Sequence, residues 1–124
     1  MKEKTILIVD DEFFIVNALS VKFRNSNYAV ATARNGREAL ESIRETKPDL
    51  VITDYQMPYL NGMELVEAIR SDESTSDIPI IMLTARGQSL LEEGNLSFGV
   101  NAFMSKPFSP KEMVRKAASL IGEP

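Results

Sequence analysis

Short, almost wholly apolar runs alternate with segments of helical periodicity five times along the chain. The runs Thr5–Val9, Tyr28–Ala33, Leu50–Thr53, Ile80–Leu83 and Ala102–Met104 have strand length. The segments Phe14–Arg24, Arg37–Thr46, Gly62–Arg70, Gln88–Ser97 and Pro110–Ile121 have the spacing of amphipathic helices. Ser109 and Glu112 stand at capping-box spacing with Pro110 at the first helical position, and Asn61 with Glu64 marks a similar start. The fourth helix is the softest element expected, because Gly94 interrupts it and Gly87 and Gly99 bracket it.

Strands that are apolar at nearly every position are buried on both faces, which is the habit of a parallel sheet covered by helices. Alternating strands and helices imply right-handed crossovers, hence an α/β fold of five parallel strands and five helices. The doubly wound, flavodoxin-like order 2-1-3-4-5, known from other proteins, suits this pattern and puts the ends of the first and third strands side by side. Asp10 and Asp11 follow the first run, Asp54 the third, Thr84 the fourth and Lys106 the fifth. Ligands of such sheets bind beyond the strands' carboxyl ends, so these polar residues are expected to converge on a site.

With 124 residues the chain has the size of one ordinary domain, residues 1–124, and shows neither a linker nor an internal repeat. Fourteen basic against eighteen acidic side chains leave a net charge of −4, which offers no footprint for direct binding of nucleic acid or an anionic membrane. The absence of cysteine excludes disulfides and thiolate chemistry, and the absence of histidine excludes an imidazole base, a phosphohistidine and a His-ligated zinc. Met1–Lys4 leads straight into a strand-length run, and no window is apolar enough to span a bilayer, so a soluble cytoplasmic domain is expected.

Carboxylates crowded together repel one another unless a cation sits among them. Oxygen ligands without sulfur or imidazole select a hard ion, and a few carboxylates with room for water suit magnesium better than calcium. A carboxylate beside such an ion can act as nucleophile on phosphorus and form an acyl phosphate. Phosphoryl transfer needs mainly positioning and charge neutralisation, which a metal, the Lys106 ammonium and the Thr84 hydroxyl are suited to supply. Each residue has an ordinary use by itself: aspartates favour turns and caps, a lone lysine is solvated, a lone threonine caps. Their joint placement at separate strand ends favours a site.

Val9-Asp10-Asp11-Glu12, Asp54 with Met57-Pro58, Leu83-Thr84-Ala85, and Phe103 with Ser105-Lys106-Pro107-Phe108 together resemble the receiver domain of bacterial two-component response regulators, a chemotaxis-regulator-like family. The four blocks occur in the family's order over nearly the whole chain. The resemblance implies that Asp54 accepts a phosphoryl group from a histidine kinase or phosphotransfer protein. It implies that Asp10 and Asp11 hold magnesium, with Asp54 and the Gln56 carbonyl completing the ligands. Lys106, through a cis bond to Pro107, would pair with the phosphoryl group. Thr84 would be drawn toward it and Phe103 would swing inward, changing the surface of the fourth helix, fifth strand and fifth helix that meets a downstream target protein or output domain.

Gln56 and Arg86 occupy variable positions that influence phosphoryl lifetime in the family. Ala102 replaces a frequent acidic residue, and Phe103 lacks the hydroxyl of the commoner tyrosine. Phe13–Val16 are four consecutive apolar residues at a helix start, and one helical face cannot bury all four. Phe14 or Ile15 is therefore expected to contact the kinase, unless the loop around Pro107 covers both. Lys111, Arg115 and Lys116 are expected to be a solvated face. The expected function is that of a phosphoacceptor, either standing alone or as the receiver of a larger regulator, and not an enzyme beyond its own phosphorylation and dephosphorylation. A magnesium-dependent phosphatase using an aspartyl phosphate is the alternative, although such enzymes generally need a further acid/base and a cap.

Overall fold

The structure, a computed structural model, describes residues 3–57, 60–84 and 99–124. Five strands, β1 (Thr5–Val9), β2 (Ala29–Ala33), β3 (Leu50–Asp54), β4 (Ile80–Thr84) and β5 (Ala102–Ser105), form one sheet in the order β2-β1-β3-β4-β5. All four pairings are parallel. Among the described residues there are four helices, α1 (Phe13–Asn25), α2 (Gly36–Thr46), α3 (Gly62–Ser71) and α4 (Pro110–Ile121). The helix expected over Gln88–Ser97 lies outside the described residues, so α4 is the segment expected as the fifth helix. None of the described helices is long and apolar enough to cross a membrane.

Side chains alternate across each strand, and the core is accordingly two layers. Leu7, Val9, Val51, Ile80 and Met82 face α2 and α3, where Ala39, Ile43, Leu65, Val66 and Ile69 meet them. Ile6, Ile8, Leu50, Ile52, Ile81 and Leu83 face α1 and α4, where Leu19, Phe23, Met113 and Ala117 close the second layer. Both faces of the central strands are thus dry, which is why their sequences read as unbroken apolar runs.

Three strands run one residue beyond the apolar runs. Asp54 pairs with Leu83, and Thr84 with Ser105, so the polar residues at the strand ends belong to the ladder itself. Side-chain hydropathy stops at Thr53, but the backbone ladder is indifferent to it. The second strand instead starts one residue later than expected. Tyr28 sits in the turn, where its N–H donates to the Phe23 carbonyl at 3.1 Å and its ring meets the Phe23 ring edge-on with centroids 5.6 Å apart. Asn27 before it has φ 72°, a left-handed turn conformation that asparagine tolerates.

Three helices open on side-chain caps. Asn35 accepts from the Glu38 amide, Asn61 and Glu64 complete a reciprocal capping box, and Ser109 accepts from the Glu112 amide. The exception is α1, whose N-cap Glu12 makes no side-chain cap. Phe13 and Phe14 in its first turn are 75% and 84% exposed, as four consecutive apolar residues require.

Arg70 at the end of α3 binds the chain on either side of β4. Nη1 donates to the Ser76 and Ile78 carbonyls, both at 2.7 Å; Nε and Nη2 donate to the Gly99 carbonyl at 3.0 and 2.7 Å. Nη2 also reaches Asn101 Oδ1 at 3.0 Å, and that same oxygen accepts from the Ile80 amide. All five guanidinium donors are used. Lysine has three donors on a flexible stem and leaves part of this set of carbonyls unsatisfied. Arg70→Lys is expected to destabilise the fold by about 2–4 kcal/mol, read as a lower midpoint of urea unfolding at unchanged slope.

Candidate functional site

The order of the sheet puts the carboxyl ends of β1 and β3 next to each other, with β4 and β5 following on the β3 side. Asp10 directly follows β1, and its amide donates to the Ala33 carbonyl at 3.1 Å, which fixes the turn out of the strand. Asp54 is the last residue of β3. Lys106 follows β5, its amide held by the Thr84 carbonyl at 3.1 Å, and its peptide bond to Pro107 is cis. Gly62 at the start of α3 lies close over this edge, and its amide donates to the Tyr55 carbonyl at 2.8 Å. A Cβ on Gly62 would stand 2.5 Å from the Asp54 carbonyl oxygen, so glycine alone permits that approach.

Among the described residues, three carboxylates share the Lys106 ammonium. Its Nζ lies 3.1 Å from Asp54 Oδ1, 3.1 Å from Glu12 Oε1 and 3.3 Å from Asp10 Oδ2. Asp10 is fully buried and Asp54 nearly so. Oδ1 of Asp10 accepts from the Glu12 amide at 2.9 Å. Among the described residues its buried Oδ2 has no well-aligned hydrogen-bond donor, and the Lys106 ammonium stands 3.3 Å from it. Oxygens of Asp10, Glu12 and Asp54 lie within 4.8 Å of one another, an arrangement consistent with metal binding. A buried carboxylate oxygen without a donor is what a bound cation would satisfy.

The electrostatics reflect that crowding. Burial pushes Asp10 from the usual 3.8 up to about 6, with the Glu12 amide opposing, the Asp54 charge adding and Lys106 opposing. Burial likewise raises Asp54 against the pull of Lys106, and the Asp11 charge adds to the rise. Burial alone would lower Lys106; its contacts with Asp54, Asp10 and Glu12 outweigh that, and its pKa ends above the ordinary 10.5.

Of the residues anticipated from sequence, Asp10, Asp54 and Lys106 come together. Thr84 is buried at the end of β4, beside them in the sheet order. Asp11 is exposed and stands outside the three-carboxylate cluster, although its charge reaches Asp54. Gln56 is exposed two residues beyond Asp54, and Arg86 lies outside the described residues. Phe103 is half-buried against the α2/α3 layer, opposite Met82 in the ladder. Glu12 is the participant that sequence reasoning passed over: it stood within a quoted motif, but nothing in the spacing tied it to a lysine 94 positions away.

Phe14 is exposed and Ile15 half-buried. With Pro107 and Phe108 they line an apolar groove of about 450 Å³, to which Glu12 and Lys106 also contribute. Groove and carboxylate cluster are therefore contiguous.

Comparison with known proteins agrees with this fold. The family model described as the response regulator receiver domain matches residues 6–118. The phosphate regulon transcriptional regulatory protein PhoB of Pseudomonas aeruginosa is 40% identical over 98% of this chain, which spans 53% of that protein. The chain thus spans about half the length of the curated relatives it matches. A putative response regulator from Chloroflexus aurantiacus superposes with a TM-score of 0.90 at 34% identity, covering 98% of this chain and 100% of that one. The receiver domain of a sensor histidine kinase from Pseudomonas aeruginosa, solved with a magnesium ion coordinated in its active-site cleft, superposes with a TM-score of 0.87 at 29% identity, covering 98% and 100%. Five parallel strands in this order, a lysine held among carboxylates at their ends and a family match over almost the whole length place this chain in the response regulator receiver domain family, whose members are signalling proteins and not conventional enzymes.

Proposed function

We propose that the chain is the phosphoacceptor of a two-component system, taking a phosphoryl group onto Asp54 from a histidine kinase or phosphotransfer protein in the cytoplasm. The observation that carries this reading is the Lys106 ammonium, held within 3.3 Å of Asp10 and 3.1 Å of Asp54 at the sheet's carboxyl edge. A carboxylate oxygen of Asp54 attacks phosphorus; the new P–O bond forms as the donor's bond to phosphorus breaks, and the leaving group departs with that electron pair. Lys106 pairs with the phosphoryl group and neutralises its charge. Thr84 donates its hydroxyl to a phosphoryl oxygen, and Phe103 repacks behind it to alter the surface offered to a target protein or output domain.

Asp10, Asp11 and Asp54, with the Gln56 carbonyl, would hold magnesium, and the unsatisfied Asp10 Oδ2 supports a cation here. When bound, the ion supplies positive charge that lets the carboxylates and an incoming phosphate share one small volume. Gln56 and Arg86 would tune the lifetime of the acyl phosphate. Phe14 and Ile15, on the groove contiguous with the cluster, would meet the donor protein.

Incubated with acetyl phosphate and magnesium, the protein is expected to gain one phosphoryl group by mass spectrometry, and Asp54→Asn none; equal labelling of the variant would remove Asp54 from this role. A chelator added beforehand is expected to stop labelling of the wild type, and undiminished transfer would refute the metal requirement. The raised pKa of Asp10 means that the folded chain binds more protons than the unfolded one between 3.8 and about 6. Stability of the metal-free protein is therefore expected to fall as pH rises through that interval, with magnesium restoring part of it. Asp10→Asn is expected to raise metal-free stability at pH 7 by about 1–3 kcal/mol, measured by chemical denaturation.

A further inference from the structure

Helix α1 gives up a local advantage that the other described helices keep. Asn35, Asn61 and Ser109 each turn a side-chain oxygen back onto an amide of the first turn. Glu12 holds the equivalent N-cap position, with extended backbone at φ −91° and ψ 112°, yet caps nothing. Its carboxylate instead accepts a hydrogen bond from Lys106 Nζ at 3.1 Å, the same distance at which that ammonium meets Asp54. A residue that breaks a local rule followed elsewhere in the same molecule marks a competing use.

We propose that Glu12 is a positioning residue for Lys106. In the resting protein it draws part of the ammonium's hydrogen bonding and charge away from Asp54, and so sets how readily a phosphoryl donor gains that lysine. The inference rests on Asp54 being the phosphoacceptor. Lys106 has three donors and, among the described residues, three carboxylates around it. Asp10 and Asp54 are buried and fixed, whereas the Glu12 side chain is 57% exposed, so water most easily replaces Lys106 at Glu12. Glu12 is thus the partner that Lys106 can leave when a phosphoryl oxygen arrives. It also lines the apolar groove with Phe14 and Ile15, so a molecule seated there lies against the carboxylate that competes for the lysine. An ion pair with a half-exposed carboxylate is weak, and the expected effect is correspondingly about two- to five-fold.

Two variants separate an ion pair from mere negative charge. Glu12→Gln removes the charge and keeps the size; Glu12→Asp keeps the charge, withdraws it from Lys106 by one methylene and supplies a good N-cap for α1. With acetyl phosphate as donor and magnesium present, as the donor's P–O bond breaks and acetate leaves with the electron pair, both variants are expected to lower the half-saturating donor concentration by about two- to five-fold. The saturating rate is expected to change less. In metal-free protein without donor, both should raise the reductive methylation of Lys106, read by peptide mass spectrometry, by a similar factor relative to Lys111. Glu12→Asp should also raise the urea midpoint, so that stability and donor use move independently. The proposal is overturned if Glu12→Asp matches wild type while Glu12→Gln does not, which would assign the effect to charge at a distance, or if neither variant alters donor saturation or Lys106 methylation. Wild-type protein that takes no label at Asp54 would instead overturn the phosphoacceptor reading, and the methylation measurement would still decide whether Glu12 holds the lysine.

Discussion

Two carboxylates taken out of water side by side need a positive charge within reach, and in this protein the charge is Lys106. Asp10 and Asp54 close adjacent strands, both buried, and burial pushes both toward the protonated form. The lysine opposes that at both, at the cost of its own desolvation, and is itself held charged by the carboxylates around it. The arrangement is balanced and not satisfied: among the described residues Asp10 Oδ2 still lacks a well-aligned hydrogen bond. A cluster left short of positive charge is consistent with metal binding, since folding has already met the desolvation of its oxygens.

The fold bears that cost through its two apolar layers. Leu7, Val9 and Val51 on one face of the sheet, and Ile6, Ile8 and Ile52 on the other, are completely buried, so β1 and β3 are fixed by packing independent of the polar residues that end them. Strand ladders continue through Asp54 and Thr84 because main-chain hydrogen bonding does not depend on side-chain hydropathy. Gly62 and the Asn61 capping box bring α3 close over the same edge. Packed strands therefore present Asp54 and Thr84 at their ends, with Asp10 and Lys106 directly after β1 and β5.

The groove beside α1 lies next to this edge. Its apolar wall is made by Phe14, Ile15, Pro107 and Phe108, while Glu12 and Lys106 belong to both groove and cluster. A chain segment that docks by its apolar face would thus touch the charge pair adjoining Asp54. The uncapped start of α1 fits the same description: local helix stability is given up where a side chain is needed by the site.

Much of this was legible in the linear chain. Near-continuous apolar runs such as Ile6–Val9 and Ile80–Leu83 identify strands dry on both faces, and the caps at Asn61 and Ser109 mark helix starts, because both signals depend on neighbours within a few residues. Asp10, Asp54, Thr84 and Lys106 were recognisable because each directly ends or follows such a run. What the linear chain left open depended on distance across the fold. The pairing of Glu12 with Lys106, the five-donor anchoring by Arg70 and the exposed position of Asp11 beside the cluster depend on which strand ends the sheet brings together and on the turns that follow them. Periodicity carries the solvent exposure of each position, but it carries no information about which distant charge will stand 3 Å away. That was decided by tertiary packing, which brings strand ends together for the sake of the core and leaves their side chains to settle the electrostatics among themselves.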